Sequence, residues 1–326
     1  MKRLLSIALV LVACSGTSAP PPPPLPEPSA RPEPVTLVRE VRRVAVFQGG
    51  KISGEGVTRY LSDGTIELAY QHLDNGRGPT VKGRARLLPN LTLGSFEATG
   101  THTFGNAIDE QFQQIDGAAM WKSREEQGRV QVRAAAFYLP VAPWPEATGL
   151  LFAALRKHGD RLPLLPGGEA RLEQVAAASV TNASGQEKRL LGWAITGLEL
   201  EPVRLWTDER ESFFGIAGDW YSYIEPGWEP AIPVLIELQN ELDASRDAEL
   251  ATALAHAPPA AGLTLINARV FDSVKKRWLT DHTVVIKGGR ITSVGPSKTT
   301  RPPRGAEVID AEGKALVPGL WDMHAH

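Results

Sequence analysis

The sequence ends Trp321-Asp322-Met323-His324-Ala325-His326, and the two histidines, one residue apart, are the side chains with the clearest chemistry. Alternate residues of a strand point to the same face. With the backbone extended from about Ala315, His324 and His326 offer two imidazoles to one cation, whereas on a helix the same spacing would send them apart. A zinc site takes about three or four protein ligands, so this pair is part of a site and predicts no firmly held metal by itself.

The residues before the pair must supply that backbone. In Glu307-Val308-Ile309-Asp310-Ala311-Glu312-Gly313-Lys314-Ala315-Leu316-Val317-Pro318-Gly319-Leu320 a turn at Glu312-Gly313 separates two apolar runs that read as strands. Upstream, the β-branched runs Thr283–Ile286 and Arg290–Val294 flank Gly288-Gly289, a pair suited to a two-residue hairpin turn. Leu263–Asp272 alternates as a further strand.

This order, with Val308-Ile309-Asp310-Ala311-x-Gly313-Lys314 followed by Pro318-Gly319-Leu320-x-Asp322-x-His324-x-His326, resembles the opening of the amidohydrolase superfamily, its imidazolonepropionase-like and dipeptidase-like members in particular. The resemblance runs from Leu263 to His326. It implies a small β-sandwich and the first strand of a (β/α)8 barrel, with His324 and His326 as metal ligands at that strand's C-terminal end, where such barrels keep their active sites. It gives Asp322 a supporting role behind the ligands. It also implies a divalent metal, zinc by ligand type, that activates water against a carbon–nitrogen bond of a small-molecule amide. Trp321 stands where the family commonly has an aliphatic residue. The remaining ligands and the catalytic aspartate would come from later strands, so no catalytic residue is assigned. The expectation is an amino-terminal fragment, inactive alone, of a larger hydrolase.

At the other end, Met1-Lys2-Arg3 precedes the apolar stretch Leu4–Val12, and Leu11-Val12-Ala13-Cys14 matches the lipobox of bacterial lipoprotein signal peptides. The stretch is too short to span a membrane, which takes about 20 apolar residues. Cys14 is the only cysteine, so no intramolecular disulfide forms, and lipidation at Cys14 predicts a cell-envelope protein anchored in the membrane. Ser15 after the cysteine favours the outer membrane in a Gram-negative host. The proline-rich residues Ala19–Pro34, with five prolines in succession from Pro20, read as an extended tether.

Between tether and C-terminal segment, runs such as Val41–Phe47, Gly64–Tyr70, Arg129–Tyr138, Arg189–Thr196 and Val203–Trp206 predict short antiparallel strands. Helices are predicted over Glu146–His158, with Gly159 following, and over Pro233–Leu254 on a stripe of Leu235, Leu238 and Leu242. Pro258–Gly262 reads as a linker. His72, His102, His158, His256 and His282 are scattered and expected to be structural, and Glu110, Asp116 and Glu125 form a carboxylate set only if the fold gathers them. The aromatics Trp220, Tyr221, Tyr223 and Trp228 read as closing the edge of a core, with a ligand groove or lipid headgroups as alternatives.

The expected fold class is therefore β-rich α+β. Residues 1–13 are a signal peptide, 14–34 a tether, 35–257 an antiparallel β-sheet domain with two helices, and 263–326 a partial amidohydrolase β-sandwich whose barrel is missing after its first strand. A formal net charge of −2 and no sustained basic stripe exclude a nucleic-acid partner as the leading reading, and Arg39, Arg42 and Arg43 are expected to be solvated. The alternative function is a complete envelope lipoprotein that acts as a β-rich binding module with a vestigial amidohydrolase segment.

Overall fold

The structure, a computed structural model, describes residues 36–322. Cys14, the tether, His324 and His326 lie outside the described residues. Eight strands in succession form an antiparallel meander: β1 (Val38–Gln48), β2 (Lys51–Leu61), β3 (Thr65–His72), β4 (Thr80–Leu87), β5 (Leu93–Thr101), β6 (Ala107–Ile115), β7 (Ala118–Lys122) and β8 (Gln127–Gln131). Then come β9 (Phe137–Tyr138), α1 (Glu146–Lys157), β10 (Arg161–Leu165), β11 (Glu169–Thr181), β12 (Glu187–Thr196), β13 (Val203–Asp208), β14 (Phe213–Ile216) and β15 (Tyr221–Ile224). Strand β15 pairs with β1, which joins two meanders into one fifteen-stranded sheet ordered β8 to β1, then β15 down to β9.

Alternation within the strands decides which face turns inward. Ile66, Leu68 and Tyr70 of β3, Phe96 and Ala98 of β5, and Phe112 of β6 enter one core, while Lys82, Arg84 and Arg86 of β4 face solvent between them. Helix α1 crosses from β9 to the parallel strand β10 and buries Leu151, Ala154 and Leu155 in the same core. Its end follows from Gly159, whose φ of 75° suits the residue after a helix terminus. Helix α2 (Ile232–Leu254) covers the other face of the second meander. There Trp206, Phe214, Trp228 and Leu235 form a second core, and Gln239 accepts the Trp206 indole N–H at 2.8 Å while donating to the Ala217 carbonyl at 2.9 Å. The buried stripe of α2 is thus Leu235 and Gln239, with Leu238 partly packed, so a polar side chain occupies a position that hydrophobic spacing alone assigns to leucine.

The C-terminal part is a separate sheet of β16 (Leu263–Asp272), β17 (Arg277–Lys287), β18 (Arg290–Pro296), β19 (Glu307–Asp310) and β20 (Ala315–Leu316). Its order is β18-β17-β16-β19, with β20 also on β16; β19 and β20 run parallel to β16. Neither core cluster contains any of its residues. Val284 is 2% exposed, but Ile291 is 66% exposed and Val308 and Ile309 are also open to solvent.

These observations correct the expected fold class. The described residues form a sheet-dominated fold with only two α-helices, a fifteen-stranded sheet and a single five-stranded mixed sheet. Among the described residues these strands pair into one sheet rather than two, and no strand begins a (β/α)8 barrel. The β-branched runs were enough to specify strands. They carry no information on how many layers the strands build, because that depends on what packs against them.

Candidate functional site

Strand β16 organises the segment that leads towards His324. At Asn267, φ is 54° and the pairing register with β17 shifts, so β16 bulges there. The freed Asn267 carbonyl accepts the Gly313 N–H at 2.7 Å, and its side-chain amide donates to Asp310 at 3.0 Å. Glu312 and Gly313 both have positive φ and make the tight turn between β19 and β20, with the Glu312 N–H bonded to the Asp310 carboxylate at 2.8 Å. The turn directs Ala315 and Leu316 alongside Arg269 and Val270. Strand pairing stops there. Val317–Trp321 has no ladder partner, and Leu320 and Trp321 are about nine-tenths exposed. The extended backbone required from Ala315 onward is therefore a strand for only two residues. Asp322, the last described residue, is exposed.

Among the described residues no group of three or more histidine, cysteine, aspartate or glutamate side chains could hold a metal ion. The other histidines are dispersed: His158 bonds the Asn90 carbonyl at 3.0 Å, His256 meets Glu307 at 3.1 Å, and His282 bonds the Thr280 carbonyl at 2.7 Å. Glu110, buried within β6, and Glu125 in the β7–β8 turn line the same small crevice, whereas Asp116 sits in the β6–β7 turn away from them, so only two of the three carboxylates are brought near each other. Glu110 instead accepts the Tyr138 hydroxyl at 2.7 Å and the backbone N–H groups of Val141 and Ala142 at 2.9 and 2.6 Å. A carboxylate so occupied is an anchor for the chain after β9, not a free acid or base.

Two further buried polar groups escape sequence spacing. Glu146, 4% exposed, opens α1 and binds Arg42 at 2.8 Å and the Tyr60 hydroxyl at 3.0 Å. Burial pushes the Glu146 carboxyl above the usual range, against the pull of Arg42, and burial together with that carboxylate raises the Tyr60 phenol. The Arg42 guanidinium, half-buried, is drawn into the sheet by this partner, unlike the solvated cluster that its charged neighbours predict. The second group is His72, whose Nδ1 lies 2.7 Å from the Tyr70 hydroxyl and whose ring centre lies 5.0 Å from that of Tyr221. Its Nε2 is buried without a hydrogen-bond partner. Desolvation holds the imidazole below its ordinary pKa, with Asp74 opposing more weakly. Gly54 and Gly78 let the backbone approach this residue: a Cβ on Gly54 would lie 2.4 Å from the His72 Cα, and one on Gly78 would lie 1.8 Å from its carbonyl oxygen. Of the aromatic group, Trp228 is in the second core, Tyr221 and Tyr223 close the edge beside Tyr70 and His72, and Trp220 is 66% exposed.

No family model matches the chain. Part of it is 43% identical over 63 residues to an imidazolonepropionase from Rhizobium rhizogenes, which is 19% of this chain and 16% of that protein. Part is 34% identical over 101 residues to an adenine deaminase from Ruegeria sp., covering 31% of this chain and 14% of the relative. Among solved structures, a β-barrel-like protein of domain of unknown function DUF1849 from Brucella abortus covers 59% of this chain and 96% of its own, at 9% identity and a TM-score of 0.33. The chain thus spans about one-seventh of the length of the curated relatives it matches, and part of it is similar to adenine deaminases and imidazolonepropionases, both of the amidohydrolase superfamily.

Proposed function

We propose that the chain is the amino-terminal part of a metal-dependent amidohydrolase, held at the cell envelope by a lipid on Cys14. The whole enzyme hydrolyses a carbon–nitrogen bond in a small molecule such as a cyclic amide or a dipeptide. The observation that carries this reading is the partial sequence likeness to imidazolonepropionases and adenine deaminases, taken with the ordered motif from Val308 to His326. His324 and His326 contribute two ligands to a divalent metal, zinc by donor type, and Asp322 supports them from behind. The metal supplies activated water and a polarised carbonyl. Two imidazoles do not complete a zinc site, and the described residues hold no group of three or more side chains that could bind a metal by themselves, so the proposal requires ligands besides this pair. The lipid places the body at the outer membrane of a Gram-negative host. The partner is a small-molecule amide; nucleic acid is not one.

A second reading, a lipoprotein that acts as a β-rich binding module, is favoured by one observation: both hydrophobic cores are built from residues before the C-terminal sheet, none later than α2. One experiment separates the two. The gene product is recovered from its native host with an antibody to the large sheet, and its intact mass and metal content are measured. The amidohydrolase reading expects a mass well above 35.2 kDa and about one or more metals per chain, lost on His324→Ala with His326→Ala. A product no larger than 35.2 kDa without metal refutes it and leaves the module.

A further inference from the structure

The face of the first meander that turns away from the core carries a trough of about 750 Å³ across strands β3 to β7. Its side chains stand in register. Glu67 lies opposite Arg84, Arg84 opposite Glu97, Glu97 opposite Gln111 and Gln111 opposite Lys122, so all five project from one face, one per strand. A second row beside it runs through Thr65, Arg86, Ser95, Gln113 and Met120. Read from β3 outward the charge alternates: Asp63 and Glu67 are negative, Arg84 and Arg86 positive, Glu97 negative and Lys122 positive. Arg84 meets Glu67 at 3.4 Å and Arg86 meets Asp63 at 3.1 Å, and both pairs are open to water. Among the described residues Glu97 and Lys122 have no ion-pair partner.

Thr36, the first described residue, lines the same trough beside Leu61 at the end of β2. The backbone is fixed there, since the Leu37 N–H bonds the Ser62 hydroxyl at 2.9 Å and the Ser62 N–H bonds the Leu37 carbonyl at 2.8 Å. The chain before Thr36 therefore meets the body at the mouth of the trough. Its sequence there is Glu27-Pro28-Ser29-Ala30-Arg31-Pro32-Glu33-Pro34-Val35, which favours an extended polyproline conformation of ~3.1 Å per residue. Counted from Thr36 at that rise, Glu33 is about 9 Å away, Arg31 about 16 Å and Glu27 about 28 Å. Strands lie about 4.8 Å apart, so counted from β2 the arginines of β4 are about 10 Å across, Glu97 about 14 Å and Lys122 about 24 Å. Negative, positive, negative in the segment thus matches positive, negative, positive in the trough, in the same order and at nearly the same intervals. A proline-rich stretch also loses little entropy on docking and brings few N–H groups to be desolvated.

From this match we infer that residues 27–35 lie across the trough as a strap, with Glu33 against Arg84 and Arg86, Arg31 against Glu97, and Glu27 against Lys122. Only residues 15–26 then act as a free spacer, at most roughly 40 Å when extended, and the body turns a fixed face towards whatever holds Cys14. The inference rests neither on the amidohydrolase reading nor on the lipid. It is tested by disulfide trapping on the chain from residue 14 with Cys14→Ser, which keeps every described residue. Ser29→Cys with Gln113→Cys puts one thiol on the segment and one on β6, about 22 Å and 19 Å along the two counts. This pair should close within the chain roughly tenfold or more faster than Ser29→Cys with Glu209→Cys. Glu209 is in the β13–β14 turn, three strands from β1 in the other direction, where an undocked segment reaches at least as readily. Glu97→Lys with Lys122→Glu should remove most of the advantage, and adding Glu27→Lys with Arg31→Glu should restore it, a rescue that a general loss of structure would not give. Equal rates for the two thiol pairs, or rates indifferent to the charge exchange and its reversal, overturn the inference. So does a disulfide between chains whose yield rises with protein concentration, which would make the trough a contact for a second copy.

Discussion

Glu110 offers a quantitative check on the large sheet. Its side chain, 2% exposed, takes three donors: the Tyr138 hydroxyl and the Val141 N–H on Oε1, and the Ala142 N–H on Oε2. Hydrogen bonds to a charged group contribute about 1.5–3 kcal/mol each, and a buried donor left without its acceptor costs about 1–3 kcal/mol. Glu110→Ala strands all three donors and should cost about 5 kcal/mol, a large share of the roughly 5–15 kcal/mol by which domains are stable. Glu110→Gln keeps the shape and the Oε1 acceptor but points an amide NH2 at the Ala142 N–H, and should cost about 2–3 kcal/mol. Tyr138→Phe removes one bond and leaves the carboxylate two, for about 1–2 kcal/mol. Urea unfolding followed by tryptophan emission measures all three. The order Ala, Gln, Phe from most to least destabilised is the signature of an anchoring carboxylate. Glu110→Gln unfolding within about 0.5 kcal/mol of the parent would refute the reasoning, since an amide cannot replace the carboxylate against three donors.

Because burial depresses the His72 pKa, the unfolded chain binds its proton more readily than the folded one does. Stability is then intact above the unfolded value of about 6.5 and falls as the pH drops through the folded value, a step that His72→Phe should flatten in unfolding scans from pH 8 to 5. Leu155→Ala, at a fully buried position of α1, should cost about 3 kcal/mol in the same urea assay, and a cost below about 1 kcal/mol would mean that α1 does not fill the core as described. Residues 14–326 dialysed after zinc loading should retain far less than one ion per chain; stoichiometric zinc lost on His324→Ala with His326→Ala would reveal ligands not recognised here. Cys14→Ser should move the protein from the membrane to the soluble fraction in its host, and a variant that still fractionates with membranes would refute the lipid anchor.

Local pattern was legible wherever a few neighbouring residues decide the outcome. The run Glu146–Lys157 is helical because its apolar residues recur on one face and Gly159 accepts positive φ. Gly288-Gly289 and Glu312-Gly313 turn the chain because both pairs adopt positive φ, at 59° and 71° and at 51° and 78°. The segment Arg129–Tyr138 shows the limit: it reads as one strand and is two, β8 and β9, separated by Val132–Ala136, because β7 pairs with the first part and β10 with the second. His72 and Glu110 could be named from the sequence but not placed, since each owes its burial to residues far away in the chain: Tyr221 against His72 with Tyr223 against the neighbouring Tyr70, and the Tyr138–Ala142 segment over Glu110.

What the sequence determined by itself is a minority of the strands of the large sheet, the turns at Gly288-Gly289 and Glu312-Gly313, the positions of both helices and the motif from Val308 to His326 that points to amidohydrolase chemistry. Tertiary structure alone decided that β1 pairs with β15 to fuse two meanders into one sheet, that α1 fills its inner face and α2 covers the outer, and that the five C-terminal strands pair into one mixed sheet. The physical reason is range. Alternation along a strand records which face is apolar within a few residues, whereas a sheet's partners and layers are set by contacts between segments more than a hundred residues apart, such as Ala45 with Ile224, whose closure leaves no local trace in either segment.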